Sequence, residues 1–205
     1  DRSPSRGLGD VYKRQIYVRQ SKIDGYRARS AYKLIEIDEK FKIFKNGISV
    51  IDLGAAPGSW SQYSSKRVKN GRIVSIDLKD MESIDKTVQI KGDFTEIESQ
   101  KKIKGLFKSK VEVVLSDMAV NTTGIKNIDA IYTGELCKEA MNFSREVLVN
   151  EGVFVSKIFM GSTFNEIIAD AKSIFKDVKV FKPKSSRKDS NCLLYTSPSP
   201  RDGLL

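Results

Sequence analysis

Between Ile48 and Trp60 a strongly apolar run, Ile48-Ser49-Val50-Ile51-Asp52-Leu53, breaks into Gly54-Ala55-Ala56-Pro57-Gly58-Ser59-Trp60. The run has the length and branching of a buried strand. The small residues after it either make an ordinary tight turn into a helix or bring backbone close to a ligand, where a Cβ would obstruct. A strand, turn and helix of this kind is how doubly wound α/β domains build a nucleotide pocket at the carboxyl end of a central strand.

The flanking segments repeat the alternation. A helix is predicted over Tyr26–Phe41, with Ala31, Leu34, Ile37 and Phe41 as its apolar stripe, closed by Asn46-Gly47. Arg29 and Lys33 then fall one turn apart, either as a pair facing one phosphate or reacting group or, for Arg29, as a solvated helix arginine. A second helix, Ser59–Val68, leads to the strand Arg72–Asp77, whose terminal acid either closes the strand or accepts the two hydroxyls of a bound ribose. Thr87–Lys91 is a third strand, followed by Gly92-Asp93-Phe94, and the lysine-rich residues 96–110 read as a solvated helix or loop rather than an RNA groove. The strand Val111–Asp117 again ends in an acid, with the loop 121–127 beyond it. Helices Ala130–Val149 and Phe164–Phe175 and strands Val153–Ile158 and Val178–Phe181 complete the series. This order implies an α/β fold with a mostly parallel sheet and helices on both faces.

With 36 Lys and Arg against 26 Asp and Glu the chain carries a net charge of +10, which suits a nucleic-acid partner or a basic solubilising surface. Its 205 residues suffice for one domain, and its lack of histidine excludes Ser-His-Asp triads and Cys/His zinc sites. Cys137 and Cys192 have no metal-ligand spacing, so no metal is expected. No apolar stretch approaches the roughly 20 residues of a membrane span, and a cytoplasmic monomer without a membrane partner is expected.

Read together, Tyr26-Arg27-Ala28-Arg29-Ser30-Ala31-Tyr32-Lys33-Leu34, Asp52 to Tyr63, Asp77, Gly92-Asp93-Phe94, Ser116-Asp117-Met118-Ala119 and Val155-Ser156-Lys157 make the chain resemble the FtsJ/RrmJ-type ribose 2'-O-methyltransferases. The resemblance covers residues 20 to 190, nearly all of the domain. It implies a Rossmann-like fold with a reversed last strand, S-adenosyl-L-methionine as cofactor and ribose 2'-O-methylation of large-subunit ribosomal RNA, most typically at a uridine. Transfer RNA methylation and a catalytically impaired cofactor- or RNA-binding protein are the alternatives. By the same resemblance Lys33, Asp117 and Lys157 are catalytic. The cofactor set is Asp52, Gly54, Ala55, Pro57, Gly58, Ser59, Trp60, Asp77, Leu78, Asp93, Phe94 and Asp117, with Asp93 on the adenine. Arg29, Lys33, Lys157, Lys184, Arg187 and Lys188 are expected to contact RNA, positioning phosphates rather than reading bases.

Lys157 is the expected proton acceptor, or the group that stabilises a developing alkoxide. A lysine near its ordinary pKa of about 10.4 is protonated at neutral pH, so a base role requires depression by burial and by Lys33, against the opposing pull of Asp117. The chain departs from the family pattern in two places. Cys192 stands where the family has a catalytic glutamate, predicting reduced activity, and Val120 stands where the family favours proline, predicting a looser substrate loop. Residues 1–15 and 192–205 resemble translated adapter sequence and are expected to be non-native tails around a single domain at 16–191, the alternative being native disordered tails. With Pro198 and Pro200 in that stretch, the last strand is expected to be short, displaced or absent.

Overall fold

A computed structural model describes residues 4–118, 123–186 and, as backbone, 190–196. Its elements run α1 (Pro4–Ile23), α2 (Ala31–Phe41), β1 (Ser49–Leu53), α3 (Ser59–Arg67), β2 (Arg72–Asp77), β3 (Thr87–Lys91), α4 (Ile97–Gly105), β4 (Val111–Ser116), α5 (Lys126–Val147), β5 (Leu148–Phe159), α6 (Phe164–Ile174), β6 (Asp177–Phe181) and β7 (Ser190–Thr196). The sheet order is β3-β2-β1-β4-β5-β7-β6. β1 to β5 pair in parallel, and β7 runs antiparallel to both of its neighbours. This is the Rossmann-like methyltransferase arrangement, with the order reversing between β1 and β4 and the binding end at the carboxyl termini of the strands.

Strand alternation divides the core. Val50, Ile73, Leu115 and Val155 face α2 and α3, packing with Leu34, Ile37, Trp60 and Tyr63. Ile51, Leu53, Ile76, Val114 and Phe154 face the other way, onto Ile103, Cys137, Phe143 and Ile167 of α4, α5 and α6. Burying each such large side chain contributes roughly 1.5–3 kcal/mol. Asp38, buried, ties α2 to α3 by accepting from Tyr63 Oη at 2.7 Å, Arg67 Nε at 2.9 Å and the Phe44 amide at 3.2 Å.

Residues 4–23 form α1, whose later part docks through the buried Ser21 and through Tyr17, whose ring lies 5.3 Å from that of Tyr32. Two expectations are corrected. The second helix begins at Ala31 and not Tyr26, because residues 24–30 form turns closed by Tyr26 N to Ser21 O at 2.8 Å and by Trp60 Nε1 to Ser30 O at 2.8 Å. The reversed last strand is in place over seven residues, and Pro198 follows its end at Thr196 in the sequence.

Candidate active site

The loop after β1 is fastened from two sides. From the sheet, the Gly54 and Ala55 amides both donate to Ile76 O, at 2.9 and 3.1 Å. Asp77 then accepts the Ala56 amide on Oδ2 at 2.9 Å and the Lys79 amide on Oδ1 at 2.8 Å, so the acid that ends β2 also holds the glycine loop. From outside, Arg27 Nη1 donates to Pro57 O at 3.1 Å and Glu82 O at 2.9 Å, while Nη2 donates to Ser83 O at 3.0 Å. Gly54, at φ 70°, would place a Cβ 2.3 Å from Met118 Cγ, and at Gly58, φ 105°, a Cβ would lie 2.8 Å from Arg27 Nη1. Here glycine is required by close approach as well as by backbone conformation.

These loops bound a cavity of about 490 Å3 at the carboxyl ends of β1, β2 and β4. Gly54, Asp77, Leu78, Asp93, Phe94 and Asp117 of the expected cofactor residues line it, joined by Ala56, Ile76, Lys79, Gly92, Thr95, Met118 and Leu136, none of which sequence reasoning had placed in the cofactor set. Asp93 accepts from the Thr95 amide at 2.9 Å and Thr95 Oγ1 at 2.7 Å, and Phe94 is braced edge-on against Phe143 at 5.2 Å. Asp52, Ala55, Pro57, Gly58, Ser59 and Trp60 do not line it. Trp60 is buried between α2 and β1, and its indole serves Ser30 rather than the cavity.

Asp52 is fully buried; its Oδ2 accepts from Ser61 Oγ at 2.6 Å and its Oδ1 has no hydrogen-bond partner among the described residues. Burial pushes this carboxyl up to about 7, the Ser61 hydrogen bond opposing and the Asp117 and Asp77 charges adding to the rise. Asp117, just past β4, has the opposite environment. Lys33 Nζ from α2 lies 3.3 Å and Lys157 Nζ from β5 lies 3.1 Å from its Oδ1. Burial alone would raise Asp117, but the charges and hydrogen bonds of Lys157 and Lys33 outweigh it and hold the carboxyl below its usual range. Two ammonium groups thus share one carboxylate that lines the cavity.

A sequence model described as FtsJ-like methyltransferase matches residues 26–196, which span α2 to β7 and all of these groups. The chain belongs to this family. Within it, the chain is 80% identical over 178 residues to a ribosomal RNA large subunit methyltransferase E of Pelagibacter ubique, covering 87% of this chain and 88% of the relative. A protein of the same description from Rickettsia akari is 44% identical over 191 residues, covering 89% and 84%. Among solved structures, one described as a ribosomal RNA methyltransferase from Plasmodium falciparum superposes with a TM-score of 0.77 at 31% identity, covering 84% of this chain and 98% of that one. The chain is a methyltransferase with the adenosylmethionine-binding fold of its family.

Within this family site the structure separates two residues that the sequence had paired. Arg29 precedes α2 and donates to Ser185 O at 2.9 Å, whereas Lys33 turns to Asp117. Glu36 accepts the Lys184 and Ser185 amides at 2.5 and 3.0 Å, so the segment before β7 is held against α2 while the Lys184 side chain remains exposed. Arg187, Lys188 and Val120 lie outside the described residues. The backbone of Cys192 stands in register with Lys157 across the β5–β7 pair. Sequence reasoning missed the Arg27 and Glu36 fastenings. Their partners are mainly backbone atoms, which leave no residue signature.

Proposed function

We propose that the chain transfers a methyl group from S-adenosylmethionine to a ribose 2'-hydroxyl, typically a uridine's, in large-subunit ribosomal RNA, acting as a cytoplasmic monomer. The observation that carries this reading is the convergence of Lys33 and Lys157 on Asp117 Oδ1 at the edge of a lined cavity. The descriptions of the Pelagibacter and Rickettsia relatives support the substrate class.

The cavity volume falls within the range of about 300–1,000 Å3 typical of small-molecule sites. Asp77 is suited to the ribose hydroxyls of the cofactor and Asp93 to its adenine amino group, while Gly54 lets the β1 loop pack against Met118 in the cavity wall. When bound, adenosylmethionine supplies an electrophilic methyl group. The chain contributes position and charge: Asp117 orients Lys157, and Lys157 accepts the hydroxyl proton or stabilises the oxygen as negative charge develops. Lys33 favours the neutral form of Lys157 and adds to the positive field that draws RNA phosphates.

The test is transfer of labelled methyl to large ribosomal particles, with the product nucleoside identified, alongside Lys157→Ala. A ribose-methylated product that disappears in the variant is expected; transfer undiminished by the substitution would overturn the catalytic assignment. Comparing ribosomal with transfer RNA pools separates the two RNA substrates. A reading of binding without turnover is favoured by one observation, that Cys192 brings no carboxylate to the position in register with Lys157. It predicts cofactor binding with no product.

A further inference from the structure

The mouth of the cavity carries an apolar surface that neither the cofactor residues nor the lysines use. On α5, Ile128, Tyr132 and Leu136 recur at four-residue spacing and therefore share a helix face. Leu136 lines the cavity; Tyr132, one turn outward, is 55% exposed, and Ile128 a turn further is exposed as well. Ile131 beside them and Met160 just past β5 are also exposed. The opposite face of α5, with Ala130, Thr133, Cys137 and Ala140, is buried, so the exposed stripe is not what holds the helix to the sheet.

The helix that bears the stripe is tied to the strand that carries Lys157. A Cβ on Gly161 would lie 2.5 Å from Ala130 Cβ, and Thr163 Oγ1 donates to Ala130 O at 3.3 Å. The end of β5, a few residues beyond Lys157, thus abuts the first turns of α5. Asp117 in the cavity wall holds the Lys33 and Lys157 ammonium groups, and the face of α5 that continues outward from Leu136 carries a tyrosine ring set among isoleucines. An occupant matching both has phosphates and a flat apolar face, which describes a nucleotide. In paired RNA both faces of each base are covered by stacked neighbours, so a base can lie on such a surface only when unpaired and turned out.

Building on the ribose-methylation reading, we propose that Tyr132, flanked by Ile128 and Ile131, is a stacking platform for an unpaired nucleobase of the RNA at or beside the methylated ribose. The test uses fluorescence anisotropy with a short single-stranded oligouridylate and with its duplex, for the full chain, Tyr132→Phe and Tyr132→Ala. Affinity for S-adenosylhomocysteine is measured in parallel by calorimetry. Tyr132→Ala should weaken single-strand binding about fivefold or more, as expected for loss of one stacked base, while Tyr132→Phe stays within about twofold of the parent. The parent should prefer the single strand, and both variants should keep their cofactor affinity. The proposal is overturned by unchanged single-strand affinity in Tyr132→Ala, by an equal loss of cofactor affinity, or by a parent chain that binds no single strand. Failure of the parent to methylate ribosomal particles would remove the reaction reading separately, since the binding comparison does not depend on turnover.

Discussion

Lys157 reaches Asp117 twice, donating to its backbone carbonyl at 2.7 Å and standing 3.1 Å from its Oδ1. The backbone bond survives removal of the carboxylate charge. Asp117→Asn should therefore leave the Lys157 ammonium near its place while removing the counter-charge it shares with Lys33. We expect methyl transfer to fall by about 100-fold in kcat, with a loss at least as large in Lys157→Ala, and little change in cofactor affinity for Lys157→Ala. Single-turnover transfer with labelled cofactor measures the first, calorimetry the second. Wild-type rates in Lys157→Ala would sink the assignment.

Asp52 makes stability depend on pH. Its folded pKa, raised to about 7, lies above the unfolded carboxylate value of about 3.9, so between these values the folded state binds more protons. The stabilising contribution is fully present below the unfolded value and is lost as pH rises to about 7. Urea midpoints of the parent should fall relative to Asp52→Asn across that window, and a constant difference between the two would refute the link.

Gly25 and Gly54 have nearly the same backbone, φ 71° and 70°, but open space surrounds the first and Met118 crowds the second. Alanine at either position bears the left-handed strain, of order 1 kcal/mol. Gly54→Ala should cost about 1–3 kcal/mol more, through displacement of Met118, and should also weaken cofactor binding. Denaturant titration of both variants isolates the crowding contribution; equal losses would show that Met118 yields freely.

Arg27 is expected to act as a positioning residue, since one guanidinium spans Pro57, Glu82 and Ser83 carbonyls on two loops. A lysine offers a point charge in place of the planar fork. Arg27→Lys should raise the cofactor KM about five- to tenfold while leaving kcat at saturating cofactor within about twofold. A fall confined to kcat would contradict this role.

Cys192→Glu places a carboxylate at the backbone position opposite Lys157. We expect a rise in methyl transfer of about tenfold or more under identical conditions. No rise would show that the cysteine is not what limits this chain.

The strands β2 and β3 were legible to the residue, because Arg72–Asp77 is a short apolar run following Gly71 and Thr87–Lys91 alternates up to Gly92. The sequence singled out Lys33, Asp117 and Lys157 one by one, and their meeting at one oxygen depends on three elements that sequence spacing cannot bring together. The start of α2 was misread because the apolar and basic residues of 26–30 suit a helix equally well. What ends it there is tertiary, in the bonds of Arg27 to the loop at 82–83 and of Trp60 to Ser30. α1 has little apolar periodicity to announce it, and the prolines near β7 mark where that strand stops rather than forbidding it.

β7 lies between β5 and β6, and β6 is paired to the sheet through β7. As the chain leaves the ribosome, β1 to β5 can assemble from segments already made, whereas β6 must wait for the strand synthesised after it. A nascent chain halted after β6 would leave unzipped the edge of β5 that carries Lys157, so that edge is closed only once β7 has been made.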